Sequence, residues 1–377
     1  MNPTLLRSAA LCLALSKCLA PEGQAQDAGP TSLPRIEPSP DGSHFVASGT
    51  GNRVIMWGFN YDHDDSGRLI EDYWADEWDT VAEDFREMKD LGANVVRIHL
   101  QLAKFMESPD RPIAENLERL GDLVTLAEET GLYLNITGLG CYHAQDTPGW
   151  YDALPESDRW DVQARFWRAV AEVCKDSPAI FCYDLMNEPV LDGGKGDGWL
   201  VGDPLGGKYF VQRITRDRAG RPGEAIAAAW IRRLTDAIRE VDDRHMITVG
   251  VIPWAHTFKG ATPLFHGPEA GEPLDFVSVH FYPKKDDIEG SLDALRVYEV
   301  GKPLVVEEIF PLAAGIDGTT AFMEGGEEIV DGWISFYWGK TIEECDQAGD
   351  LKGAIVAAWL KAFRDRSPYA TSEAADR

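Results

Sequence analysis

Two short apolar runs end in carboxylates: Tyr183-Asp184-Leu185-Met186-Asn187-Glu188-Pro189 and Val305-Val306-Glu307-Glu308-Ile309-Phe310. Held on facing strands, such a pair suits displacement at an anomeric carbon. One carboxyl protonates the departing oxygen while the other, about 5 to 5.5 Å away, attacks the carbon. A single acid after a strand reads equally well as a solvated loop charge. Asn187-Glu188-Pro189 is more specific, because Asn187 can hydrogen-bond a sugar hydroxyl beside the acid and Pro189 stops the strand. Other chemistries are weaker. The chain has no Gly-x-Ser-x-Gly elbow for a serine nucleophile. Gly193-Gly194-Lys195-Gly196-Asp197-Gly198 lacks the strand-to-helix setting and the Lys-Ser/Thr ending of a phosphate cradle, and reads as a cleft loop. Asp62-His63-Asp64-Asp65-Ser66-Gly67 opens like a calcium loop, but its twelfth position is Tyr73 rather than Glu, so a polar loop is expected and no metal or cofactor is implied.

The elements that must hold these groups alternate between strand and helix. Apolar, mostly continuous runs at 54–59, 94–100, 133–137, 179–185, 246–250, 276–280, 303–308 and 354–359 are bounded by Gly, Pro or Asp. That is the pattern of strands buried on both faces of a parallel sheet. Helical periodicity fills most gaps. Thr80-Val81-Ala82-Glu83 has a capping-box pattern opening a helix that Gly92 closes, and further helices are expected over 115–130, 161–175, 225–241, 292–300 and 326–338. Little helix is expected over 251–273, and the 18 residues after Trp359 leave room only for a short or missing last helix. Eight strands in βα alternation predict an α/β fold: a single (β/α)8 (TIM) barrel, entered through an N-terminal hairpin and shortened at its C-terminal end. In such barrels chemistry sits at the C-terminal ends of the strands, where Glu188 and Glu308 fall.

At this point the motifs resemble those of glycoside hydrolase family 5 and the wider clan of retaining barrel glycosidases, over about residues 40–360. Asn187-Glu188-Pro189 is similar to the acid/base motif, and Lys302-Pro303-Leu304-Val305-Val306-Glu307-Glu308 to the nucleophile strand. The resemblance implies Glu188 as general acid/base and Glu308 as nucleophile, with Glu307 pointing the other way along its strand. Trp57-Gly58-Phe59-Asn60-Tyr61 is similar to the first strand, and Gly92-Ala93-Asn94-Val95-Val96-Arg97-Ile98 to the second. Arg97 would then bind the nucleophile and keep it ionised. In Val279-His280-Phe281-Tyr282, Tyr282 would orient Glu308 and His280 would line the catalytic subsite. Gly353 to Trp359 is similar to the eighth strand, with Trp359 as the sugar-stacking floor. The chain departs from the family where strand three reads Asn135-Ile136-Thr137-Gly138-Leu139-Gly140 without a His: either His143, a few residues later, substitutes, or the role is absent. The implied activity is retaining hydrolysis of β-linked glucan or mannan, as polysaccharide or oligosaccharide. A transglycosidase and a non-catalytic carbohydrate-binding barrel are the alternatives.

Composition agrees with a folded enzyme of this kind. The chain has 377 residues, 44% hydrophobic, with a net charge of −27. Such a field repels nucleic acid and anionic lipid. Residues 1–25 read as an export signal, with Arg7 before a short apolar run, and predict a secreted or periplasmic protein. Lys17 before Cys18 disfavours lipid anchoring. Residues 26–39 read as a linker and 40–377 as the barrel, a monomer whose mature form spans no membrane. Of the six cysteines, Cys141, Cys174, Cys182 and Cys345 lie beyond the signal. Cys174 and Cys182 are near enough in sequence to pair, although buried free thiols are the stronger reading. Trp57, Trp167 and Trp230 are expected in the core. Tyr142, Trp150, Trp199 and Trp254 follow strands, where they could stack on sugars.

Overall fold

The computed structural model describes residues 33–191, 197–336 and 338–370. The segment read as an export signal, with Cys12 and Cys18, most of the segment read as a linker, and Gly193 to Gly196 lie outside the described residues. The barrel strands are β1 (Met56–Tyr61), β2 (Val95–Gln101), β3 (Tyr133–Gly140), β4 (Ile180–Asp184), β5 (Met246–Thr248, resuming as Gly250–Val251), β6 (Val277–His280), β7 (Leu304–Ile309) and β8 (Gly332–Ser335). All neighbours are parallel, β1 pairs with β8, and the ring closes through the interrupted β5, whose first part pairs with β4 and second part with β6. Every residue of these strands is buried. That explains their continuous apolar runs.

Helices α1 (Trp78–Asp90), α2 (Ala114–Thr130), α3 (Glu156–Cys174), α4 (Gly223–Arg239), α5 (Ile288–Arg296), α6 (Gly315–Gly326), α7 (Ile342–Ala348) and α8 (Leu351–Arg364) surround the barrel. Helix α2 ends as its sequence predicts, on Gly131 in the left-handed conformation. Helix α1 begins two residues before Thr80, so the expected capping box lies within the helix rather than at its start. After β5 there is only one 3-10 turn, Trp254–His256, the irregular crossover expected there.

A three-stranded antiparallel sheet (Ile36–Pro38, Phe45–Ala47, Arg53–Val54) includes the predicted hairpin. It closes the N-terminal end of the barrel. The Phe45 ring meets Phe181 and Phe276 edge-on at 5.2 and 5.3 Å, among Met56, Val95, Tyr133, Val305 and Ile334 from the strand bases. With that end filled, the opposite end is left for chemistry.

The eighth strand differs from expectation. Residues 354–359 belong to helix α8, and β8 falls within the segment read as a helix, 326–338. Ala354, Ala357 and Ala358 are strong helix formers, and the Asp350 side chain caps the Gly353 N–H. β8 has four residues, too few for periodicity to separate a buried strand from a buried helix. The last helix is therefore neither short nor missing. Trp359 is 0% exposed, its Nε1 donates to Ser335 Oγ at 2.8 Å, and its ring packs against Phe310 and Phe363. It seals α8 to the barrel and is no sugar platform. The stronger reading of the cysteines holds: Cys141, Cys174, Cys182 and Cys345 are free and buried, and Cys174 does not pair with Cys182. No helix among the described residues is long and apolar enough to cross a membrane.

Candidate active site

The first inward-facing polar residue on β2 is Arg97, fully buried. Its Nη1 donates to Glu308 Oε1 at 2.8 Å and to Asn60 Oδ1 at 2.9 Å, and its Nη2 to Asp184 Oδ2 at 2.8 Å and Asn187 Oδ1 at 2.9 Å. One guanidinium thus ties together the ends of β1, β2, β4 and β7. Two residues on, the same period brings His99 inward. Its Nε2 lies 3.1 Å from Asn60 Oδ1 and its Nδ1 2.5 Å from the Tyr142 hydroxyl. Asn60 Oδ1 already accepts from Arg97, so His99 is assigned as the Nε2–H tautomer. Burial, then Arg97, hold its pKa well below the usual histidine range.

β7 breaks the period of two. Its pairing slips by one residue against both β6 and β8 around Glu307 and Glu308. This bulge turns two successive carboxylates into the barrel. Glu307 therefore does not point away, as alternation predicts. It lies fully buried below Glu308, bonded by the Asn135 amide, 3.7 Å from Arg97 Nε and 3.6 Å from His280 Nε2. Gly250 makes the space: a Cβ there would stand 2.6 Å from both Glu307 Oε2 and His280 Nε2. Opposed by burial but held by Arg97 and His280, Glu307 is lowered to about 2.

Glu308 sits at the rim, with Oε1 on Arg97 and Oε2 accepting from the Tyr282 hydroxyl at 2.8 Å. Arg97 and Tyr282 thus stand where the resemblance places them, but the pKa direction differs. Burial raises Glu308 above the ordinary glutamate value, outweighing His280 and Arg97, which lower it. Burial, then Glu308, push Tyr282 well above 10, so its hydroxyl keeps its proton. Glu188 follows β4 with φ at +47°, in the left-handed region, directly before Pro189. That backbone is strained for a non-glycine residue and is held by its N–H bond to Gly250 O at 2.9 Å. The strain aims its carboxylate at His280 Nδ1, 2.9 Å away. His280 Nδ1 is also 3.4 Å from Glu308 Oε1. Burial disfavours its charged form, but Glu308, Glu188 and Glu307 together raise it to about 10.

Donor atoms of Glu188, His280 and Glu308 all lie within 4.8 Å of one another, close enough to share a cation. The surrounding carboxylates favour a protonated His280, which itself places a positive charge between them. Asn187 joins the site with its amide engaged by Arg97 and the Phe210 carbonyl. His143 is not brought to the carboxylates. It lines a separate small cavity with Leu69, Gln101 and Lys104, while Thr137 on β3 bonds Asp184. The Asp62–Asp65 loop is a set of local ion pairs, Asp64 with Arg68 and Asp65 with Lys340 and Lys352. Of the aromatics expected to stack on sugar, Tyr142 and Trp199 are buried, the latter under Arg159 and Arg216. The cavity over Glu188 and Glu308 is walled by Phe210, Phe310 and Phe336, with Leu205 and Leu312. These five, and Asn60, Asp184 and His99, were not singled out from the sequence. His99 could have been found by counting inward positions from Arg97, whereas Asp184 stands three residues before Asn187, out of step with a period of two.

The profile of Cellulase (glycosyl hydrolase family 5) matches residues 49–309. The chain belongs to this family. Its members are O-glycosyl hydrolases, and the barrel is consistent with the family's fold. Solved structures are similar in fold. An exo-β-1,4-mannosidase from an Opitutaceae bacterium (strain TAV5) aligns at TM-score 0.62 and 19% identity over 87% of this chain, which spans 62% of that protein. An endo-1,4-β-mannanase from Rhizomucor miehei gives 0.58 and 16% over 88% of this chain and 100% of its own. A β-1,4-mannanase from the sea hare Aplysia kurodai gives 0.57 and 16% over 89% and 99%. No curated protein sequence matches the chain.

Proposed function

We propose that the chain is a retaining hydrolase of β-linked glycans, of the gluco or manno series, working by double displacement. The observation that supports this is the closeness of the two rim carboxylates, one oxygen of each lying within 4.8 Å of one on the other. Inverting enzymes hold their carboxyls about 6.5 to 9.5 Å apart to seat a water between them, so this closeness favours direct attack by the carboxylate. Glu308 attacks the anomeric carbon, and Glu188 gives its proton to the departing oxygen. Negative charge then leaves Glu308 and grows on Glu188. His280 stands between them, at 3.4 and 2.9 Å, as a fixed cation that follows the charge. In the second half Glu188 takes a proton from water, which attacks the glycosyl–Glu308 ester. Arg97 and Tyr282 fix the two Glu308 oxygens so that one geometry serves both halves. Incubation with a 2-fluoroglycosyl fluoride and peptide mapping is the test. A label on Glu308 and product of retained configuration are expected; a label on Glu307 or inverted product refutes the assignment. We also propose that residues 1–25 direct export, which sequencing the N-terminus of the secreted protein checks.

A further inference from the structure

The cavity that holds Glu188 and Glu308 has a volume of about 290 Å³. Its polar lining is confined to the reacting centre: Asn187, Glu188, Tyr282 and Glu308. Among the described residues, everything beyond is hydrocarbon. Phe210, Phe310 and Phe336 form the inner wall, and Leu205 and Leu312 the lips. The two leucines are 73% and 67% exposed, on loops that follow the two carboxylate-bearing strands. A Gly206-Gly207 turn, with Gly207 at φ +83°, closes the antiparallel bridge between Leu205 and Lys208 and holds Leu205 out. Large apolar side chains exposed in one place, on a chain of net charge −27, mark a binding surface. A further sugar is a poor occupant. It would bring hydroxyls that these five side chains cannot bond, and a branched leucine offers no flat face for stacking. The glycone needs polar partners, so the group against the apolar wall is the one that leaves.

We propose that the leaving group is a hydrocarbon chain: the substrate is a β-glycoside with a lipid-like alkyl aglycone. This rests on the retaining-hydrolase reading above and narrows its substrate. The chemistry is unchanged. The bond between the anomeric carbon and the aglycone oxygen breaks, Glu188 supplies the proton, the alkyl alcohol departs, and water later releases the sugar from Glu308.

The test is kcat/KM for methyl, hexyl, octyl and decyl β-glucosides, β-mannosides and their disaccharide counterparts, below micelle concentrations, beside the matching unsubstituted oligosaccharides. The expected result is a rise of about two- to fourfold per methylene, the upper figure being ~0.8 kcal/mol per buried CH2 converted at room temperature. The decyl glycoside should also exceed the oligosaccharide of the same glycone. In a Leu205→Ser/Leu312→Ser variant the decyl-to-methyl ratio should collapse. Both sites are exposed, so folding is not at stake, and the ratio is internal to each preparation. A flat chain-length series, a better oligosaccharide, or an undiminished ratio in the double variant overturns the proposal while leaving the hydrolase reading intact. If no glycoside or polysaccharide is cleaved and no fluorosugar labels Glu308, it is the hydrolase reading that falls, and this proposal with it.

Discussion

His280 should be a cation at neutral pH, and its charge should be visible in stability. The ring is buried between three carboxylates, at 2.9 Å from Glu188, 3.4 Å from Glu308 and 3.6 Å from Glu307. Their attraction exceeds the cost of burial and raises its pKa from 6.5 to about 10. A folded-state value above the unfolded one stabilises fully below about pH 6.5, and that stabilisation is lost as pH climbs through the folded value. At 1.36 kcal/mol per pH unit the whole interval is worth up to about 5 kcal/mol. For a chain of this size, with an unfolding entropy of about 0.7 kcal/mol per kelvin, that is ~7 °C of melting temperature. The perturbation is His280→Gln, which can still hydrogen-bond but cannot titrate. Melting curves of both proteins at several values from pH 6.5 to 10 give the readout, since titrations of groups remote from the site cancel in the difference. The wild-type advantage should shrink steadily across the window. A constant difference, within about 1 °C, would mean the ring is already neutral, and the charge-following role of His280 would be wrong.

Three further outcomes are expected. Glu188→Gln should nearly abolish cleavage of poorly activated glycosides yet largely spare those with a good aryl leaving group, because only the former need the proton; equal losses on both would remove Glu188 as the acid. Trp359→Ala should cost about 3 to 5 kcal/mol of stability through the cavity it leaves, with kcat per folded molecule little changed. A normal melting temperature with a collapsed kcat would return Trp359 to the cleft. Peptides carrying Cys174 and Cys182 should alkylate after unfolding without prior reduction, and resist alkylation in the native protein; a linked pair in a non-reducing digest would contradict the free thiols.

Seven of the eight strands were legible because a strand buried on both faces reads as a mostly continuous apolar run, interrupted chiefly by the few polar residues that serve the site, and Gly, Pro or Asp marks its ends. The eighth was lost twice over. Gly332-Trp333-Ile334-Ser335 is short and sits among apolar residues at helix-like spacing, while 353–359 offered a glycine, an apolar run and a tryptophan in the expected order. Order along the chain was a weaker guide there than composition. Three alanines in six residues argue for a helix, and a tryptophan on a helix facing a barrel belongs in the core.

The site was legible where one residue closes one run: Glu188, Glu308, Arg97, His280 and Tyr282. It was illegible where the geometry depends on a register slip. Nothing in Val306-Glu307-Glu308-Ile309 says which carboxylate turns inward, because alternation allows only one and the bulge admits both. The consequence is electrostatic. Asp184, Glu307 and Glu308 converge on Arg97, and Glu307 and Glu308 also on His280. Burial, then Glu307, raise Asp184 to about 6, while Glu307 falls to about 2. None of these charges would be tolerated alone at such depth. Each exists because the others do, so removing one alters the protonation of the rest. The costs of single substitutions within the group therefore cannot be added, and a role for any member has to be read from pairs of substitutions compared with their singles.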